Sequence, residues 1–237
     1  MKYQCTQGKI NQTIWMNWCA DRTYQALNGF ISSQEMTGNF VGIMEYFRLS
    51  SLRMRIMAEK WMKYQCTRGG QVRFEQTQTL MHVPEKVECH QCLTVAIEMA
   101  LECEKKVEQQ VRELHSLAKE KNDMVTVEMC ESHFIPAQLR IIRLVVGLLN
   151  GLQMNGRDQF MFERLTMQPL VKQMLLFMQS GKIEELPIVC CDKFVTMLIR
   201  THVAQTLRSG DFNMTVEDKI QFRNTNDYGS IVGFWDL

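Results

Sequence analysis

The chain has 237 residues, enough for one large domain or a domain with an appendage, and a hydrophobic share of 46% that supplies a sizeable core. Its formal net charge of +1 gives no broad attraction to nucleic acid, so RNA is unsupported as a partner, or to an anionic membrane. With no unbroken apolar run of membrane-spanning length and no signal-peptide core at the N-terminus, the chain reads as a cytoplasmic protein without a membrane partner.

In chain order, Ile10, Ile14, Asn17, Asp21, Tyr24 and Leu27 share one helical face, which ends near Gly29 or Ser33 and places two polar side chains among apolar ones. After a loop at Gln34–Gly38, Phe40, Ile43, Phe47, Ser50, Met54, Met57, Trp61 and Tyr64 recur in helical steps. Thr67-Arg68-Gly69-Gly70 closes this second helix, with glycine as its left-handed cap. Gln71–Lys86 lacks a long period and reads as an extended crossover.

The third helix is the most regular. Leu93, Ala96, Ala100, Cys103, Val107, Val111, Leu114 and Ala118 form its apolar stripe, with Glu98, Lys105, Lys106 and Arg112 opposite. Glu104 falls on the edge of that stripe, where a carboxylate is costly unless it is paired or bound to a metal.

A fourth helix is expected from about Thr126 to Leu152, with Gln138 on its stripe and Pro136 as a kink or local break. Gln159–Met167 reads as a short fifth helix stopped before Pro169. The division that follows is a bundle over residues 1–167 and a C-terminal extension over 168–237. Within that extension Lys172–Gln179 and Ile188–Leu207 look helical, and the remainder is irregular. The hexapeptide MKYQCT occurs at both Met1 and Met62 without a longer repeat around it.

Two long helices, a long crossover, two more long helices and a short fifth make an all-α, four-helix bundle with one long connection. Its residues resemble the ferritin family. AEKWMKYQCTRGG (58–70) is similar to the end of that family's second helix, and ECEKKVEQQVRELHSLAKEKND (102–123) to its third. ESHFIPAQLRIIRL (131–144) resembles the fourth helix and FMFERLTM (160–167) the fifth. The resemblance covers about Ile10 to Met167 and implies self-assembly into a hollow 24-subunit cage.

It also implies a place for a di-iron oxidising centre built from carboxylates and a histidine. At those positions this chain carries Asn17, Met54, Met57, Glu104 and Gln138, so one carboxylate and one neutral amide remain. Thioethers are soft, uncharged ligands that do not offset the charge of iron, and Met54 and Met57 read as core filling. The expectation is a non-enzyme with no cofactor. Glu104, Asp21 and Gln138 are the weak metal candidates, and iron enters only if the protein is a silent storage or cage-building subunit.

By the same resemblance, Arg53 and Ile56 stand where inward-facing carboxylates would nucleate mineral, although Glu59 remains. Glu128 and Glu131 match the acids of the threefold pores, and they also read as favourable charge in a first helical turn.

The sequence has nine cysteines, which in a reducing compartment read as free thiols. Cys89-His90-Gln91-Cys92 has a zinc-like spacing but no second pair at matching distance, adjacent Cys190 and Cys191 chelate poorly together, and the scattered histidines make no constellation. Lost ligands, abundant cysteine and a long extension resemble the artemin branch of the family. That implies a protective, chaperone-like cage for unfolding client proteins in stress or dormancy, its cavity filled by the extension.

Overall fold

The computed structural model describes residues 4–33, 40–85, 87–88, 91–154 and 158–179. Residues 188–207 (the last expected helix), the Cys89-His90 pair and Cys190-Cys191 lie outside them. No strand occurs among the described residues. Helix α1 spans Gln4–Ser33, α2 Val41–Thr67 and α3 Cys92–Glu120. Helix α4 runs through Met124–Met154 and a fifth, α5, occupies residues 159–179.

Side-chain pairings fix the topology. Thr6 meets Asp123, Thr13 meets Gln110 and Tyr24 meets Glu104, so α1 and α3 are antiparallel. Asp21 with Ser51 and Gln7 with Gln65 make α1 antiparallel to α2. Helices α2 and α3 are therefore parallel, which is why a long crossover must join them.

That crossover lies along α1, clipped by polar side chains. Asn11 Nδ2 donates to Gln71 O at 3.0 Å and Asn11 Oδ1 accepts from Arg73 N at 3.2 Å. Trp15 Nε1 donates to Gln76 O at 3.1 Å, and Leu80 N donates to Thr23 Oγ1 at 2.8 Å. The extended reading of this stretch holds, and these bonds supply the backbone partners that a lone strand lacks.

The helix ends follow their chemistry. Gly69 has φ of 74°, with Gly70 N donating to Gln65 O at 3.0 Å and Gly69 N to Cys66 O at 2.9 Å, the Schellman arrangement. Asn122 (φ 54°) closes α3 in the same way. The two MKYQCT segments differ in place where they are described, since Gln4-Cys5-Thr6 opens α1 while residues 62–67 finish α2.

The helical prolines Pro136 and Pro169 are accommodated by wider turns. Cys130–Phe134 is a π-helical turn in which Ile135 N donates to Cys130 O, one turn before Pro136. Glu163–Met167 is another, with Gln168 N donating to Glu163 O just before Pro169. Each π turn inserts an extra residue beside a ring that cannot donate, so the helix continues. The expected stop before Pro169 is therefore corrected: α5 continues as Gln168–Gln179, and Val171, Met174 and Leu175 are buried in the core. Likewise α4 carries a π turn at Pro136 rather than a break. Helix α4 is long and apolar enough to cross a membrane by length and composition, yet Phe134, Gln138, Ile141, Val145, Leu148 and Leu152 pack into the bundle.

At one end of the bundle Asp123 caps α4 and ties it to the start of α1 and the end of α2. Its carboxylate accepts from Thr126 Oγ1 at 2.8 Å, Thr6 Oγ1 at 2.9 Å and Arg68 Nη2 at 2.7 Å. Burial works against its charge, but these hydrogen bonds and the Arg68 guanidinium prevail and hold its carboxyl below the usual aspartate range. A carboxylate whose folded pKa is depressed stabilises fully above its unfolded pKa, and that stability is lost as pH falls through the folded value. Asp123→Ala is therefore expected to cost about 2–3 kcal/mol at neutral pH. In denaturant titrations the gap to the parent narrows once pH drops below about 4.

Candidate functional site

The apolar core is in two parts. One holds Phe47, Met54, Cys103 and Ile141 towards the α5 end, and the other holds Ile14, Met57, Trp61 and Phe134. The polar residues Asn17, Gln110 and Gln138 are buried on the helices between them, and Glu104 and Arg53 lie beside this layer. Met54 and Met57 thus belong to the apolar clusters on either side, as core filling requires.

Glu104 is fully buried and accepts three side-chain donors. Its Oε1 accepts from Arg53 Nη2 and from the Tyr24 hydroxyl, while its Oε2 accepts from Gln138 Nε2. Gln138 Nε2 also donates to the Glu104 carbonyl at 3.0 Å, and Arg53 Nη1 approaches Gln138 Oε1 at 3.5 Å. Arg53 is 3% exposed and Ile56 2%. Both therefore sit inside the bundle, which corrects their expected place on a cavity wall. The reason is electrostatic: a buried carboxylate needs a cation, and Arg53 lies at helical spacing from Ser50 and Met57 on the inward face of α2.

The charges are mutually dependent. Burial favours loss of the Arg53 proton, but the Glu104 carboxylate outweighs it and holds the guanidinium above its ordinary value. Burial, and then the Glu104 charge, push the Tyr24 phenol well up, so it stays a proton donor. Burial and Glu104 likewise push up the Tyr46 phenol and the Cys103 thiol, leaving Cys103 an un-ionised thiol.

The remaining candidates are separated from this group. Asn17 donates to the Thr13 carbonyl at 2.8 Å, a bond within its own helix. Asp21 is buried but accepts from Ser51 Oγ and, at 3.0 Å, from Gln25 Nε2, with Arg55 at 3.5 Å. Of the three weak metal candidates, Glu104 and Gln138 are joined, and Asp21 is engaged elsewhere. Glu128 and Glu131 are exposed near the start of α4, and Glu131 is paired with His115 at 2.7 Å. Half-buried Glu59 has its carboxyl raised by burial against the pull of Arg55. Cys19, Cys66, Cys103 and Cys130 are free thiols, and Cys92 Sγ donates to Gln159 Oε1 at 3.0 Å.

Sequence reasoning missed Tyr24 and Arg53 as members of the site. Tyr24 lies two turns from Asn17 on the same face, and that spacing was the available signal.

The donor set does not fit a pair of irons. A hard dication needs several anionic oxygens, and the one carboxylate here is already neutralised by a guanidinium. No group of three or more metal-ligating side chains occurs among the described residues.

The topology, long crossover and five-helix order define a ferritin-like bundle, and the family model described as a ferritin-like domain matches residues 21–154. The chain belongs to the ferritin family. It is 29% identical over 151 residues to "Ferritin-4, chloroplastic" of Arabidopsis thaliana and 31% over 151 residues to "Ferritin, chloroplastic" of Phaseolus vulgaris, covering 64% of this chain in each case. Those matches span 57% and 58% of the two plant relatives' length. With "Ferritin, middle subunit" of Aquarana catesbeiana it shares 28% identity over 163 residues, 67% of this chain and 89% of that one.

Proposed function

We propose that this protein is a cage-forming ferritin relative that does not oxidise iron, and that it protects other proteins rather than storing metal. The observation that carries the reading is the Arg53–Glu104 pair, which spends the one remaining carboxylate of the bundle centre on a built-in cation. Asn17, Met54 and Met57 add no anionic ligand. The shell is proposed as 24-subunit, its cavity filled by the C-terminal extension, an artemin-like arrangement. Eighteen methionines and exposed apolar side chains such as Phe74, Met154 and Leu165 suit varied unfolding clients.

A second reading, a silent storage or cage-building subunit, is favoured by exposed Glu128 and Glu131 as a cation approach. Single-particle imaging with metal determined on the same sample, paired with a heat-aggregation assay on a model client, separates them. Protein density inside an iron-poor shell, with client aggregation suppressed, is expected. A hollow, iron-loaded shell with no effect on the client overturns the protective reading in favour of storage.

A further inference from the structure

We propose that Glu163 is a buried latch that fastens the fifth helix to the start of the second, so that breaking this one contact loosens α5 ahead of the rest of the bundle. Glu163 is 1% exposed. Its Oε1 accepts from Gly42 N and its Oε2 from Ile43 N at 3.1 Å, the second and third residues of α2, whose amides have no partner within the helix. Phe40, the N-cap residue of α2, supplies no side-chain cap. The carboxylate from α5 therefore does across the fold what a local Asp or Ser does within one helix, and it meets the positive end of the α2 dipole. Among the described residues no lysine or arginine pairs with it, so these amides and Gln168 Nε2 at 3.4 Å are what compensate its burial.

The seat is cut to this group. A Cβ on Gly42 would lie 2.7 Å from Glu163 Oε1, 2.7 Å from Gln168 N and 2.9 Å from the Met167 carbonyl carbon. Two of those atoms are backbone, so a side chain at position 42 would force α5 away from this approach. Glu163 also opens the π turn that carries α5 past Pro169. The latch thus holds the helix at the point where its backbone widens.

Amide hydrogen exchange on the full-length assembled protein tests the latch, with α3 residues 96–114 as internal reference. Glu163→Ala is expected to raise exchange at Gly42, Ile43 and across α5 by about tenfold or more while α3 stays protected. Gly42→Ala, which keeps the carboxylate but displaces it, is expected to give the same regional pattern. Glu163→Gln, which retains one acceptor, is expected to fall between parent and alanine, and it serves if the alanine variant fails to fold. Unchanged protection of α5 in the variants overturns the proposal. So does a rise in α3 that matches the rise in α5, which is the behaviour of an ordinary core residue.

Discussion

Arg53→Met is expected to destabilise the folded subunit by about 3–5 kcal/mol, because it leaves the Glu104 carboxylate buried without a cation. Tyr24 and Gln138 still donate to that carboxylate, but neutral donors do not balance a full charge at 0% exposure. Adding Glu104→Leu to Arg53→Met should recover most of the loss, since replacing both members of a buried pair by apolar groups is often neutral or better. Chemical denaturation of the parent, the two single variants and the double variant closes the cycle. A coupling near zero would mean that the pair is not the cation–carboxylate unit described here.

The second large effect concerns iron. Asn17→Glu, Met54→Glu and Met57→His together put oxygen and nitrogen ligands back on the helices around Glu104. With Arg53 in place this triple variant should gain little iron oxidation, because the guanidinium still occupies the Glu104 carboxylate. Adding Arg53→Ala should raise the initial rate by about tenfold or more over the triple variant, equivalent to ~1.4 kcal/mol of barrier. Ferrous oxidation followed by absorbance, on variants first shown to melt cooperatively, measures this. Equal rates with and without Arg53 would contradict the blocking role assigned to it.

Much of the bundle was legible because burial imposes a period. Stripes such as Leu93 to Ala118 have no other purpose on a soluble helix, and Glu104 stood out as a charge on one of them. Gly69 announced the end of α2 through the left-handed backbone that glycine adopts without cost. Pro169 misled, because a proline's usual effect is to stop a helix locally, while the π turn ahead of it restores the helix at the level of tertiary packing. Val171, Met174 and Leu175 gain burial only if α5 continues, and that gain is invisible to a reading that stops at Pro169.

Half of the site was legible in the same sense. Glu104 and Gln138 were found as polar groups on apolar faces. The family resemblance places Arg53 on the wall of the cage cavity, although its own spacing from Ser50 and Met57 points into the bundle, where it is buried. A buried acid predicts a buried base nearby, and that electrostatic demand was the stronger guide than family position. Asp21 showed the converse: it is buried as its face implied, yet Ser51, Gln25 and Arg55 satisfy it locally, away from Glu104.

The central claim is that the middle of this bundle is an ion pair and not an iron-oxidising centre. Oxygen consumption by the intact assembled protein on addition of ferrous iron tests it most directly. The account predicts a rate no greater than that of buffer with the same iron. Rapid oxygen uptake saturating at one or two irons per subunit would contradict it.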